Sequence, residues 1–159
     1  MNYTQAELLI TRYLAILAFV CIAVFGLISC SEPQPTPLII NTDNCAYCQM
    51  TISDPKFGAE LLTKKGKIYK FDAIECMAGF YAEASVVKHE DIHSMWVINL
   101  ISPGSLINAQ NAVFVHCDQI KSPMGGDFSA VPTENDFNRI STNYQCRRMT
   151  WDDIVQASK

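Results

Sequence analysis

Residues 13–28 form one apolar run without charge or proline, preceded by Arg12 and ending at Ser29-Cys30. A membrane-spanning helix needs about 20 such residues, so the run is short for a span and suits a removable export segment over residues 1–29. Residues 31–42 are polar and carry Pro33, Pro35 and Pro37. That composition favours extended polyproline geometry and predicts a stiff tether, in which only Leu38, Ile39 and Ile40 could bury anything. Beyond it the pattern turns to short periodic segments. Residues 58–63 and 67–71 are strand-like and flank Lys64-Lys65-Gly66, a hairpin turn. Asp72 is placed to cap a helix over 73–85, with Ile74, Met77, Ala78 and Tyr81 on one face. Residues 95–100 predict a strand, Ser102-Pro103-Gly104 a turn, and 112–116 and 127–131 two further strands. Thr133, with Glu134 behind it, opens a helix to about Asn143; 145–150 is extended, and 151–155 closes the chain as a short helix. His89 and His93 fall between elements and are expected in a surface loop.

The order strand, strand, helix, strand occurs twice. The expected architecture is an α+β domain over 43–159, built of two related ββαβ units at about 43–101 and 110–159. Leu27-Ile28-Ser29-Cys30 resembles the bacterial lipobox, which implies cleavage before Cys30, a lipid on its sulfur and residues 30–42 as the lipidated tether. Two chains on one cysteine, with a third on the new amino terminus, would anchor stably where a single chain holds only marginally. The net charge of −4 is unchanged by removing residues 1–29, because Arg12 and Glu7 leave together. No basic patch points to nucleic acid.

Of the seven cysteines, Cys21 leaves with the export segment and Cys30 takes lipid, which leaves Cys45, Cys48, Cys76, Cys117 and Cys146. Five sulfurs cannot all pair, and an unpaired thiol outside the cytoplasm is oxidised unless it is buried or metal-bound. The chemistry concentrates in Cys45-Ala46-Tyr47-Cys48-Gln49-Met50, two thiols and a thioether just before the first strand. Soft sulfur donors at that spacing suit Cu(I); zinc rarely takes a thioether, and no second C-x-x-C completes a structural zinc site. Cys76, at the start of the first helix, is a further candidate, and the helix dipole there is expected to lower its thiol pKa. Met124, in a Pro-Met-Gly loop, could bring another thioether. Behind these stand Met77, His116 and Cys117; since neighbouring strand residues point to opposite faces, at most one of the last two would face a site.

Spaced motifs along the chain resemble the NosL copper lipoproteins, accessory to nitrous oxide reductase. They are Cys45-x-x-Cys48-x-Met50-Thr51-Ile52, Gly58-Ala59-Glu60, Lys67-x-Tyr69-x-Phe71-Asp72 followed by Cys76-Met77, Ser122-Pro123-Met124-Gly125, and Thr150-Trp151-Asp152. The resemblance implies a periplasmic Cu(I) carrier of two ββαβ units that supplies copper to the reductase, facing the periplasm or cell exterior. Two positions depart from the pattern: Gln49, where glycine is expected before the methionine, and Cys146, which has no counterpart. No nucleophile, base and orienting group are set out at recognisable spacing, so no enzyme is expected. Two other functions fit the cysteines: a thiol–disulfide oxidoreductase using Cys45 and Cys48, and a scaffold lipoprotein with a Cys45–Cys48 disulfide. Against the first, the C-x-x-C precedes a strand instead of opening a helix in a βαβ unit.

Overall fold

In the computed structural model of this chain, which describes residues 7, 10–17 and 32–159, the predicted hairpin turns at Gly66 with φ +79°. It joins β1 (Ala59–Thr63) to β2 (Ile68–Phe71), and Thr63 N–H donates to Lys67 O at 2.9 Å to close it. β1 is buried along its whole length, so it shows no polar alternation: it is the inner strand, flanked by β2 and by β3 (Ile92–Ile98). A short β4 (Leu106–Asn108) completes an antiparallel sheet in the order β2-β1-β3-β4. The second sheet repeats the plan with β5 (Val113–Cys117) central between β6 (Phe128–Val131) and β7 (Cys146–Met149). In each unit the helix follows the second strand: α1 (Ile74–Glu83) and α2 (Glu134–Asn143). A last helix, α3 (Trp151–Ala157), closes the chain. The expected α+β class and duplicated order are both present. A parallel bridge between Asn99 and Ala130 links the two sheets.

The main core gathers around α1, whose Ile74, Met77 and Ala78 pack with Leu61, Val97, Phe114, Phe128 and Ile154. β5 divides its side chains by strand alternation, Phe114 going to this core and Val113 and Val115 to a second cluster with Val131 and Ile140. Helix ends follow from local chemistry. Thr133 Oγ accepts from Asp136 N at 3.2 Å, and Thr150 and Asp153 form a reciprocal capping box, which places Trp151 against Phe114 and Tyr81.

Several expectations are corrected. Asp72 does not cap α1: Ala73 holds that position without a side-chain bond, and the Asp72 carboxylate instead accepts from Ser53 N at 3.3 Å. β3 begins at Ile92, earlier than the apolar pattern suggests, because its first residue pairs with Thr63 across a bulge. His93 is therefore a half-buried strand residue, while His89 sits in a one-turn helix with its ring stacked on Tyr81, centroids 4.0 Å apart. The second half of the proline-rich stretch lies on the domain. Thr36 donates its N–H and its hydroxyl to the buried Glu60 carboxylate, each at 2.9 Å, and a Cβ on Gly58 would fall 2.2 Å from Leu38 Cδ1.

Residues 33–159 form one compact unit. Residues 7 and 10–17 are helical; the remainder of the export segment, including Cys30, lies outside the described residues. Among the described residues no helix is long and apolar enough to cross a membrane.

Candidate metal centre

The segment before β1 folds as a tight reversal. Asn44 and Thr51 form an antiparallel bridge, Cys45 N–H donates to Met50 O at 2.8 Å, and Gln49 N–H donates back to Cys45 O at 3.1 Å. The reversal is possible because Gln49 takes a left-handed backbone, φ +64°, at the position where the motif expects glycine. Two contacts pin this loop. Ala46 N–H donates to Lys70 O on β2 at 2.8 Å. The Tyr47 ring lies on α1 at Gly79, where an added Cβ would come within 2.8 Å of two ring carbons. Both contacts bring the loop onto the first turns of α1, where Cys76 sits.

The result is a cluster of three free thiols, Cys45, Cys48 and Cys76, whose sulfurs all lie within 4.8 Å of one another. Cys45 and Cys76 are buried and Cys48 is half-buried. The thiols share their protons unequally. A hydrogen bond from the Cys76 thiol, working against burial and helped by the backbone N–H groups of Asp72, Cys48 and Tyr47, holds Cys45 down at about 5. Cys76 is pushed up because it donates that bond, with burial and the charge on Cys45 adding to it. This reverses the expected dipole effect, since a neighbouring thiolate outweighs the partial charge of a helix end. Cys48 is pushed up mainly by burial. The arrangement favours ionisation at Cys45 over its two neighbours, whose protons a metal can displace.

Of the thioethers, Met50 is exposed on the loop and Met124 is exposed on the Ser122–Asp127 turn. Met124 and Cys76 line the same open pocket of about 360 Å³, together with Tyr47, Glu75, Phe128 and Lys159. Met77 is fully buried in the main core. His116 lies elsewhere, on β5 beside Asp118, Cys146 and Arg147. Cys117 is removed from the candidates because it forms a disulfide with Cys146 across β5 and β7. That bond accounts for Cys146, and it leaves Cys45, Cys48 and Cys76 unpaired, against the scaffold-disulfide alternative. A slightly larger pocket, about 400 Å³ and lined by Phe57, Leu100, Ile140 and Tyr144 among others, contains none of the candidate ligands. Sequence reasoning missed Glu75, which sits beside Cys76 and ties the Met124 turn to α1; its only signal was adjacency to a candidate ligand.

The NosL family pattern matches residues 37–158. This chain belongs to the NosL family. The family is non-enzymatic, in line with the expectation for this chain. Among solved structures, the fold of this NosL-family chain is similar to the crystal structure of the copper chaperone NosL from Shewanella denitrificans. The two share a TM-score of 0.67 and 22% identity, over 80% of this chain and 99% of that one. No curated protein matches the chain at a significant level.

Proposed function

We propose that this protein is a lipid-anchored extracytoplasmic metallochaperone that binds one Cu(I) at Cys45, Cys48 and Cys76 and hands it to a copper enzyme, with nitrous oxide reductase as the acceptor. The observation that carries the reading is the cluster of three thiols within 4.8 Å, largely removed from water. Thiolates bound to one metal at about 2.3 Å stand about 4 Å apart, so the sulfurs need little rearrangement. An all-sulfur, low-coordinate pocket suits a soft monovalent ion, and family membership agrees with copper as the cargo. Binding replaces the thiol protons with metal, so affinity rises with pH until the ligating thiols are ionised. Release proceeds by stepwise exchange of sulfurs with the acceptor, which half-buried Cys48 and exposed Met50 and Met124 can begin.

The anchor belongs to the same proposal: residues 1–29 are removed, Cys30 carries lipid, residues 30–42 link it to the domain, and the domain faces the periplasm or cell exterior. Mass spectrometry of Cys30 from native membranes is expected to show the lipid adduct. The site is tested by anaerobic Cu(I) titration against a chromogenic chelator, followed by transfer to an apo copper enzyme. Cys45→Ser with Cys48→Ser is expected to abolish tight binding, and Met50→Leu or Met124→Leu to weaken it by about 1–3 kcal/mol. Unchanged affinity in the double variant would overturn the assigned site. A wild-type protein that loses copper to a weak chelator would overturn the copper reading, and insulin-reducing activity would favour the oxidoreductase.

A further inference from the structure

Met124 reaches the neighbourhood of Cys76 only because its turn is held there, and the holding group is a side chain with no other evident purpose. Residues 122–127 close on themselves. Ser122 N–H donates to Asp127 Oδ1 at 3.1 Å, Asp127 N–H donates to Ser122 Oγ at 2.9 Å, and Gly125 N–H donates to Ser122 O at 3.2 Å. The closed turn then presents two donors to one oxygen of α1: the Ser122 hydroxyl and Gly126 N–H, the latter at 3.0 Å, both donate to Glu75 Oε1. Glu75 is only 8% exposed, and its other oxygen, Oε2, is buried without a partner. Gly126 is what admits the carboxylate, since a Cβ there would stand 2.9 Å from Oε1 and 3.0 Å from the Phe128 ring.

A buried carboxylate with an orphaned oxygen is an expensive way to fasten a surface turn. Its position gives the reason: Glu75 precedes Cys76 on α1, so the same turn of helix carries a thiol and the anchor of a thioether loop that lines the same pocket. We propose that Glu75 is a positioning residue, whose carboxylate, through Ser122 and Gly126, holds Met124 over Cys76 as the added sulfur donor that steadies the cargo and is given up first on transfer. The inference rests on the three-thiol Cu(I) site proposed above. Glu75 touches no metal in this account; it acts through Met124.

The test uses protein labelled with selenomethionine, loaded with Cu(I) under anaerobic conditions and examined by X-ray absorption at the copper edge, beside the rate of copper release to a chelator. In a Met50→Leu background, used throughout so that selenium at position 50 cannot contribute, the protein is expected to show a copper–selenium contact that Met124→Leu removes. Glu75→Ala is expected to remove the same contact, to leave the copper–sulfur scattering intact, and to speed release about tenfold, the lower end of what loss of an outer supporting group costs. Glu75→Gln, which keeps an acceptor oxygen, should restore the contact. In a Met124→Leu background, Glu75→Ala should change release no further. Retention of the selenium contact in Glu75→Ala, or no such contact in the copper-loaded Met50→Leu parent, would overturn the proposal while leaving the thiol site standing. Failure of wild type to bind Cu(I) would overturn the site itself. Circular dichroism of both Glu75 variants separates loss of contact from loss of fold.

Discussion

Gln49 shows how much a single backbone angle contributes to the site. Its left-handed φ of +64° lets Cys45 and Met50 pair across the reversal, and for a residue with a Cβ that conformation costs roughly 1–2 kcal/mol. Its amide offsets part of this by donating to Ala46 O at 3.1 Å. Gln49→Gly is therefore expected to raise stability by about 1 kcal/mol without changing Cu(I) affinity, checked by urea unfolding and chelator competition. Glu60 contributes with the opposite sign at neutral pH. Burial raises its carboxyl above the ordinary value of 4.5, although the Thr36 bonds and the Lys70 charge pull it back. A carboxyl that holds its proton more tightly when folded contributes stability below its unfolded pKa and loses it as pH rises through the folded one. Stability is expected to fall across that window, and Glu60→Gln to flatten the slope, measured by urea unfolding at a series of pH values. An unchanged slope would show that the buried carboxyl does not titrate there.

At the scale of elements, the decisive contact is between the cysteine loop and α1. Gly79 lies within the helix, where alanine would normally be favoured by up to about 1 kcal/mol. Here an alanine Cβ would stand 2.8 Å from the Tyr47 ring and lift the loop that carries Cys45 and Cys48. Gly79→Ala is expected to leave the thermal midpoint nearly unchanged, helix gain offsetting lost packing, while weakening Cu(I) binding about tenfold. Parallel melting and chelator titrations check it, and a stabilised variant with full affinity would show that Tyr47 does not position the loop. Periodicity located β1, β2, α1 and α2 because each has a continuous apolar face or a turn at its end. It missed β4, which is too short for a repeat to register, and the start of β3, where His93 and Ser94 interrupt the apolar pattern.

In the molecule as a whole, the two units divide the sulfur chemistry. Among the described residues, the first holds the three clustered thiols, and the second holds the Cys117–Cys146 disulfide and the Met124 turn. The disulfide closes a loop of 29 residues in sequence, and chain entropy gives that constraint about 3–4 kcal/mol. Cys117→Ser with Cys146→Ser is expected to lower stability by about that amount in urea while leaving one Cu(I) bound per chain. Loss of copper stoichiometry in that variant would mean that the disulfide supports the site. The grip of Glu60 on Thr36 and of Lys70 Nζ on Pro37 O, at 3.1 Å, makes the end of the proline-rich stretch part of the domain.

What the chain determined locally was legible before any coordinates. The hairpin at Gly66, the cap at Thr133, the twice-repeated element order and the C-x-x-C with its methionine all depend on neighbours a few residues apart. Sulfur softness is likewise a property of residue type, so the metal class could be argued from composition and spacing. Tertiary structure decided which sulfurs share a site. Cys76 joins Cys45 and Cys48 because Tyr47 lies on Gly79 and Ala46 pairs with Lys70. Cys117 leaves the candidates because β7 sets Cys146 opposite it. Glu75 and Ser122, 47 positions apart in sequence, meet because both halves of the domain pack on one core around α1. Each of these pairings is a contact between distant segments, and its partner is fixed by the packing of sheets and helices, for which one-dimensional spacing carries no signal.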